Sequence, residues 1–288
     1  MNDLEKEIEF PEGSLVLDEK ESGLRLTRVT GNFSILTVPD IKSVSKKAFL
    51  GKRTIRKIIL PDTVEEIGDF AFAHCANLSE VVMPFCKTGE GIFTGCKSLE
   101  KITLPGISTD MQVLIAGAIR YGAPSHLTDI ENISDDYRVK WDAWVISVLD
   151  APDDEGFLNQ ILCGEEDYGS TDREAYESGR RRRKAELLLL RLLHDAGLSD
   201  ALKERAKEYL LAHAAGAPAG SESWNAVWQL HADEREWYEL FAEIGGIRAG
   251  NMDRMLSDFG ENHPELKAFL LGDTVGAGAE DFFGGLEL

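Results

Sequence analysis

LPDTVEEIGDFAFAHCANLSEVVMP (residues 60–84) is followed by FTGCKSLEKITLP (residues 93–105), and the two segments say nearly the same thing. Prolines recur at Pro39, Pro61, Pro84 and Pro105, at spacings of 22, 23 and 21 residues. Between them Ala48-Phe49 aligns with Ala71-Phe72 and Ile92-Phe93, and Ile55 aligns with Leu78 and Leu99. The apolar triplets Ile58-Ile59-Leu60, Val81-Val82-Met83 and Ile102-Thr103-Leu104 each stand directly before a proline. Self-similarity at this period is the signature of a solenoid, in which no unit can bury its apolar face alone and neighbours share one core.

Physical roles follow from the residue types. A β-branched triplet reads as a short strand, and the proline that follows cannot donate to a ladder, so the strand stops there. The Phe and Leu positions are expected to point inward and stack from unit to unit, each burial contributing roughly 1.5–3 kcal/mol. Cys75 and Cys96 share a repeat position that Lys52 occupies one unit earlier. A small residue recurring inside a stack reads as structural cysteine, with redox or metal roles as the alternative.

This stretch resembles the BspA-like (Treponema pallidum type) leucine-rich repeats, whose units read roughly I-G-x-x-A-F-x-x-C-x-x-L-x-x-I-x-L-P. The likeness is carried by Ile67-Gly68, Ala71-Phe72, Cys75, Leu78, Val81 and Met83-Pro84, and then by Phe93, Cys96, Leu99, Ile102 and Leu104-Pro105. The segment 23–39 resembles the lead-in strands that cap such arrays. Phe85-Cys86-Lys87-Thr88-Gly89 departs from the pattern, so a distorted coil is expected there. The resemblance implies a protein-binding solenoid, and family members are often surface or secreted proteins.

The chain has 288 residues, enough for two modest domains and a core that needs no disulfides. Its four cysteines show no paired spacing, which fits a reducing compartment. The opening MNDLEKEIEF has neither a basic nor an apolar leader region, and no apolar run approaches membrane-spanning length. A cytoplasmic location is the expectation. A net charge of −20 repels nucleic-acid phosphates and favours a basic or mixed-charge partner.

Beyond Pro105-Gly106 the periodicity turns helical. Met111, Val113, Leu114, Ile115, Ala118 and Ile119 predict a buried helix that caps the open end of the stack. A polar loop is expected over 125–136. Trp141, Trp144, Val145, Val148 and Leu149 then sit at helical spacing, as a packed face or as an aromatic binding platform. Residues 151–155, APDDE, read as a helix start that continues to Cys163. The acidic loop at Glu165-Glu166-Asp167 lacks the alternating aspartates of a calcium loop. Thr171 and Glu174 have capping-box spacing and open a long helix to Asp195, with Gly197 as its C-cap.

That helix contains Arg180, Arg181, Arg182 and Arg183, followed by Lys184. Three readings apply: salt bridging to the flanking acids, an acidic ligand, or nucleic acid. The first is favoured because acids flank the run and the molecule is strongly negative. Ser199 caps the next helix, 200–214, and His194 and His213 fall near helix C-termini. Short helices are expected at 224–230 and 234–244, the latter with Trp237, Leu240, Phe241 and Ile244 on one face. Two more follow, one capped by Asn251 and one started by Pro264. Gly260, His263, Glu265, Lys267, Leu270 and Leu271 resemble ankyrin-type helix pairs, although the T-P-L-H turn is missing. The segment 272–288 is Gly-rich and acidic, and its adjacent Phe282 and Phe283 imply docking on the helical domain or on a partner.

The expected architecture is α+β: a strand cap at 1–33, leucine-rich repeats at 34–107, an all-helical domain at 108–271 with ankyrin-like pairs near its end, and a tail at 272–288. The expected function is non-catalytic protein binding, with an adhesin-like surface role as the alternative if an export signal is involved. An enzyme using Glu165-Glu166-Asp167 beside the arginine run is a third reading, but no nucleophile, metal-ligand or phosphate-loop motif supports it. No cofactor or metal is called for. Candidate partner contacts are Ser79, Glu80, Glu100, Lys101, the four arginines, Phe282 and Phe283.

Overall fold

The computed structural model describes residues 5–157, 172–231, 234–260 and 262–272. The chain divides into two compact units, the first running to Asp142 and the second starting at Ala143. The sequence reading placed the boundary at 107. The first unit also carries the capping helix and the segment after it, and the division falls inside a helix, Tyr137–Asp150.

In the first unit an antiparallel meander, β1 (Glu5–Phe10), β2 (Gly13–Lys20) and β3 (Gly23–Val29), opens the stack. The triplets form β4 (Ile35–Thr37), β6 (Lys57–Ile59), β8 (Glu80–Val82) and β10 (Lys101–Thr103), a parallel four-stranded sheet in sequence order. Between them lie two-residue strands β5 (Ser43–Val44), β7 (Glu66–Ile67) and β9 (Lys87–Thr88). These extend the meander in parallel, because β3 pairs with β5. Each coil thus contributes one strand to each of two sheets. Glycine after Ile67 is a steric requirement: a Cβ on Gly68 would lie 2.5 Å from the Lys46 backbone nitrogen of the previous coil. The expected distortion at 85–89 is absent, since Lys87 stays in register with Glu66 and Gly89 donates to the Ile67 carbonyl at 2.7 Å. The shortened turn after Pro84 absorbs the irregularity.

The core of this unit is a stack of repeat positions. Phe49, Phe72 and Phe93 pack ring on ring, with centroids 5.0 and 5.2 Å apart. Ile55, Leu78 and Leu99 are fully buried beside them, as are Ile58, Val81 and Ile102. A second backbone ladder closes the coils. The N–H groups of Lys47, Phe49 and Gly51 donate to the carbonyls of Asp69, Ala71 and Ala73 at 3.0, 2.8 and 2.9 Å. Those of Phe70, Phe72 and His74 donate onward to Glu90, Ile92 and Thr94 at 2.9, 2.9 and 2.7 Å.

Helix α1 (Thr109–Arg120), capped by Ser108, packs on β10 and covers the end of the stack with Leu114, Ile115 and Ala118. Its buried Gln112 donates to the Ile107 carbonyl at 2.8 Å. The expected polar loop is instead α2 (Ser125–Thr128) followed by a 3-10 turn, Ile130–Asn132. Two isolated apolar residues, Leu127 and Ile130, are enough to pin it. In α3 (Tyr137–Asp150), Trp141 is buried and its indole donates to the Leu114 carbonyl at 3.1 Å; Trp144 is buried as well. The tryptophans are a packed face.

The second unit is helical among its described residues. Residues 151–156 form a bend and turns where a helix start was expected, Phe157 is helical, and the expected continuation over 158–163 lies outside the described residues; Lys184 donates to the Ala151 carbonyl at 2.6 Å. The central element is α4 (Arg173–Leu193), against which α5 (Asp200–Ala212), α6 (Glu222–Leu230) and α7 (Arg235–Glu243) pack. Its N-cap is Asp172, whose carboxylate accepts from the Glu174 and Ala175 N–H groups. An aspartate there adds charge complementarity to the helix dipole, while the expected capping residue Thr171 lies outside the described residues. The helix ends at His194, three residues before Gly197, because Arg191, 1 % exposed, turns its guanidinium back onto the carbonyls of His194 and Ala196.

Helix α5 starts at Ser199 as expected and stops at His213, two residues early. In α8 (Ala249–Asp258), Asn251 lies inside the first turn rather than at the cap, and its side-chain oxygen accepts from the Arg248 N–H at 2.8 Å. A last helix, here α9, covers 264–272 with Pro264 in its first turn, where the missing N–H costs nothing. Trp224 centres this end, edge-on to Tyr238 and Phe259, with its indole donating to Asp258 at 2.8 Å.

Candidate interaction surface

Because strand side chains alternate, β4, β6, β8 and β10 bury one residue each and turn two outward. Parallel in-register pairing lines the outward residues into two rows: Ile35, Lys57, Glu80, Lys101 and Thr37, Ile59, Val82, Thr103. Ile35 is 63 % exposed, and every residue of the second row is exposed or half-exposed. The first row carries charge, with Lys57 bonded to Glu80 at 2.8 Å. The second is a β-branched stripe with no charge.

Of the predicted contacts, Glu80 and Lys101 stand side by side in the first row. Ser79 lies at the strand entrance, where its hydroxyl donates to the Arg56 carbonyl at 3.1 Å, and Glu100 is exposed one coil on. The structure therefore brings these four together along one edge of the face. Sequence reasoning missed the row of Thr37, Ile59, Val82 and Thr103. The repeat alignment held the signal, since these positions alternate with the buried Ile and Val of each triplet.

The arginine run lies in the second unit and is engaged internally. Arg181, with its side chain 13 % exposed, donates to Glu222 at 2.8 Å and to Glu174 at 2.6 Å. Arg180 reaches Glu155 at 3.1 Å, and Lys184, nearly buried, holds Asp153 at 2.6 Å. Arg182 is the most open of the measured members, its side chain 43 % exposed, and it meets Glu186 at 3.5 Å and Gln229 at 3.4 Å. Arg183 also has polar contacts within the fold. Salt bridging is thus the reading the structure bears out, with the flanking Glu174, Glu177 and Glu186 supplying part of it and Asp153, Glu155 and the buried Glu222 of α6 the rest. Cys163, Glu165, Glu166, Asp167, Thr171, Phe282 and Phe283 lie outside the described residues.

Chemically the surfaces are quiet. Burial pushes the Cys75 and Cys96 thiols up to about 11 and about 12, and each Sγ donates at 3.1 Å to a Phe carbonyl one coil back. Cys86 is raised to about 11 by burial and by the nearby Glu131 carboxylate. Among the described residues no group of three or more His, Cys, Asp or Glu is arranged to hold a metal. No helix among them is long and apolar enough to cross a membrane.

A family-model match agrees with the repeat geometry. Residues 29–114 match the family model described as "BspA type Leucine rich repeat region (6 copies)". Among solved structures, the leucine-rich repeat protein of T. pallidum is 25% identical over 35% of this chain and 50% of its own, with a TM-score of 0.28. A leucine-rich cell surface protein from Faecalibacterium prausnitzii A2-165 is 18% identical over 36% of this chain and 44% of its own, with a TM-score of 0.25. The chain spans half or less of the length of both. No curated protein sequence matches it. The array at 29–114 thus carries leucine-rich repeats similar to the BspA type, a statement about that part of the chain rather than the whole.

Proposed function

We infer that the protein is a non-catalytic interaction module that holds a protein partner on the outward face of the four-stranded sheet. The observation that carries this is the pair of continuous rows, one charged and one β-branched, that cross every coil and, among the described residues of the first unit, are exposed or half-exposed. Such a surface binds by area and register rather than by a pocket. The partner presents a flat apolar strip flanked by charges of both signs. The successive short helices α6 to α9 support an ankyrin-like pairing as part of the same reading.

Unpaired cysteines bonded to backbone carbonyls support a reducing compartment, the cytoplasm. The same face would serve an adhesin-like role outside the cell, and fractionation of the tagged native protein separates the two. The binding reading is tested by quantitative capture with wild type, Val82→Arg and Arg182→Ala as baits. Loss of one partner with Val82→Arg alone supports it. A partner held equally by Val82→Arg and wild type sinks it.

A further inference from the structure

A cleft of about 520 Å³ lies within the first unit, between the turn at 88–95 of the last coil and the segment from Ile119 to Glu131. Earlier coils hand three N–H groups forward to the next: from Lys47, Phe49 and Gly51, then from Phe70, Phe72 and His74. The last coil repeats the same backbone, with φ of 58° at Gly91 and 76° at Gly95 matching 54° at Phe70 and 59° at His74. Its three equivalent donors are the N–H groups of Gly91, Phe93 and Gly95. Among the described residues no protein acceptor meets them. On the same edge Thr88 is met by a side chain in place of a further coil, the Glu131 carboxylate. The stack therefore ends short of one set of acceptors, and the cleft occupies the space where they would stand.

Donors in such a row call for acceptors, and the walls decide which kind. Glu90, Asp129 and Glu131 line the cleft, with no Lys, Arg or His. An anion drawn to the amides would face these carboxylates in a molecule of net charge −20. A neutral peptide carbonyl meets no such repulsion, and a cationic side chain beside it is attracted. Donors at alternate residues call for acceptors at alternate residues, as the carbonyls of Asp69, Ala71 and Ala73 and of Glu90, Ile92 and Thr94 supply in the earlier coils. The volume suits a few residues rather than a domain.

We propose that this cleft binds a short peptide with basic side chains, whose alternate carbonyls accept from the Gly91, Phe93 and Gly95 N–H groups while a lysine or arginine reaches Glu90. The site is independent of the sheet-face reading, because the two surfaces share no residue and each can fail alone.

The test is a titration of the full-length, isotope-labelled protein followed by amide NMR. The probe is an acetylated, amidated heptapeptide alternating valine and lysine. Saturable shifts and slowed exchange at Gly91, Phe93 and Gly95 are expected. Glu90→Gln should weaken binding by about two- to fivefold, while Asp62→Asn, an exposed acid on an earlier turn, leaves it unchanged. The valine–glutamate counterpart should not bind. Sodium sulfate shifting the same amides would overturn the peptide assignment in favour of an anion nest. Butylamine producing the same amide shifts would overturn the backbone pairing, and shifts spread over the acidic surface or absent would overturn the site.

Discussion

At the scale of single residues, the repeat position of Cys75 and Cys96 shows how one slot can be chosen by size and depth. Each thiol fits beneath a ring stack and has one acceptor, a Phe carbonyl of the coil before it. Desolvation keeps both protonated near neutral pH, so neither is a nucleophile. Iodoacetamide at about pH 8 should leave both unmodified until denaturant is added, as peptide mapping by mass spectrometry would show. The aromatic slot beside them is a matter of volume. Phe72 touches a ring on either side, so Phe72→Ala opens a cavity between two coils that cannot collapse independently. A loss of about 3–5 kcal/mol in chemical denaturation is expected.

At the scale of elements, charges do different work in the two units. Between coils, Lys42–Glu65 at 2.6 Å and Lys46–Asp69 at 3.2 Å are exposed ion pairs one coil apart. The Asp69 carboxyl is held below its usual 3.8, first by the Glu90 backbone N–H and then by Lys46. A depressed folded value contributes stability above the unfolded value, and that contribution disappears as pH falls through the folded one. The difference in denaturation midpoint between wild type and Asp69→Asn should therefore be full at neutral pH and shrink below pH 3.8. In α4 the effect of burial dominates. Removing Arg181 strands Glu222, which is 4 % exposed, and Arg181→Ala should cost about 3 kcal/mol. Arg182→Ala, on a side chain 43 % exposed, should cost less than about 1 kcal/mol by the same measurement.

For the whole molecule, the end of the solenoid matters more than any coil inside it. Helix α1 packs on the last coil, where Leu99, Ile102 and Leu104 are buried, and on its edge strand β10. A fragment ending at 107 leaves those side chains and a strand edge open to water and to other copies. It should elute as aggregates in size-exclusion chromatography, whereas a fragment ending at 142, which keeps α1, Tyr137 and Trp141, should elute as a compact species. Equal behaviour of the two would mean that α1 contributes little to the cap. The circular-dichroism spectrum of the full chain should be dominated by helix, since helical residues outnumber strand residues among those described.

Periodic features were legible in the sequence because the same physical demand recurs. Prolines, triplets, Phe, Leu and Cys fixed the coils, the four-stranded sheet and the buried face of α1, each through spacing alone. The outward rows follow from the same alternation. Tertiary structure decided what depends on pairs distant in the chain. The two-residue strands β5, β7 and β9 are too short to show a pattern and exist only because a neighbouring coil hydrogen-bonds them. The turn at 125–132 is held by Leu127 and Ile130, which show no period. Asp172 caps α4 at its start and Arg191 ended it early, because caps compete locally for the same backbone groups. The orphan donors of the last coil could not be read either, because a missing acceptor leaves no mark in the residues that lack it.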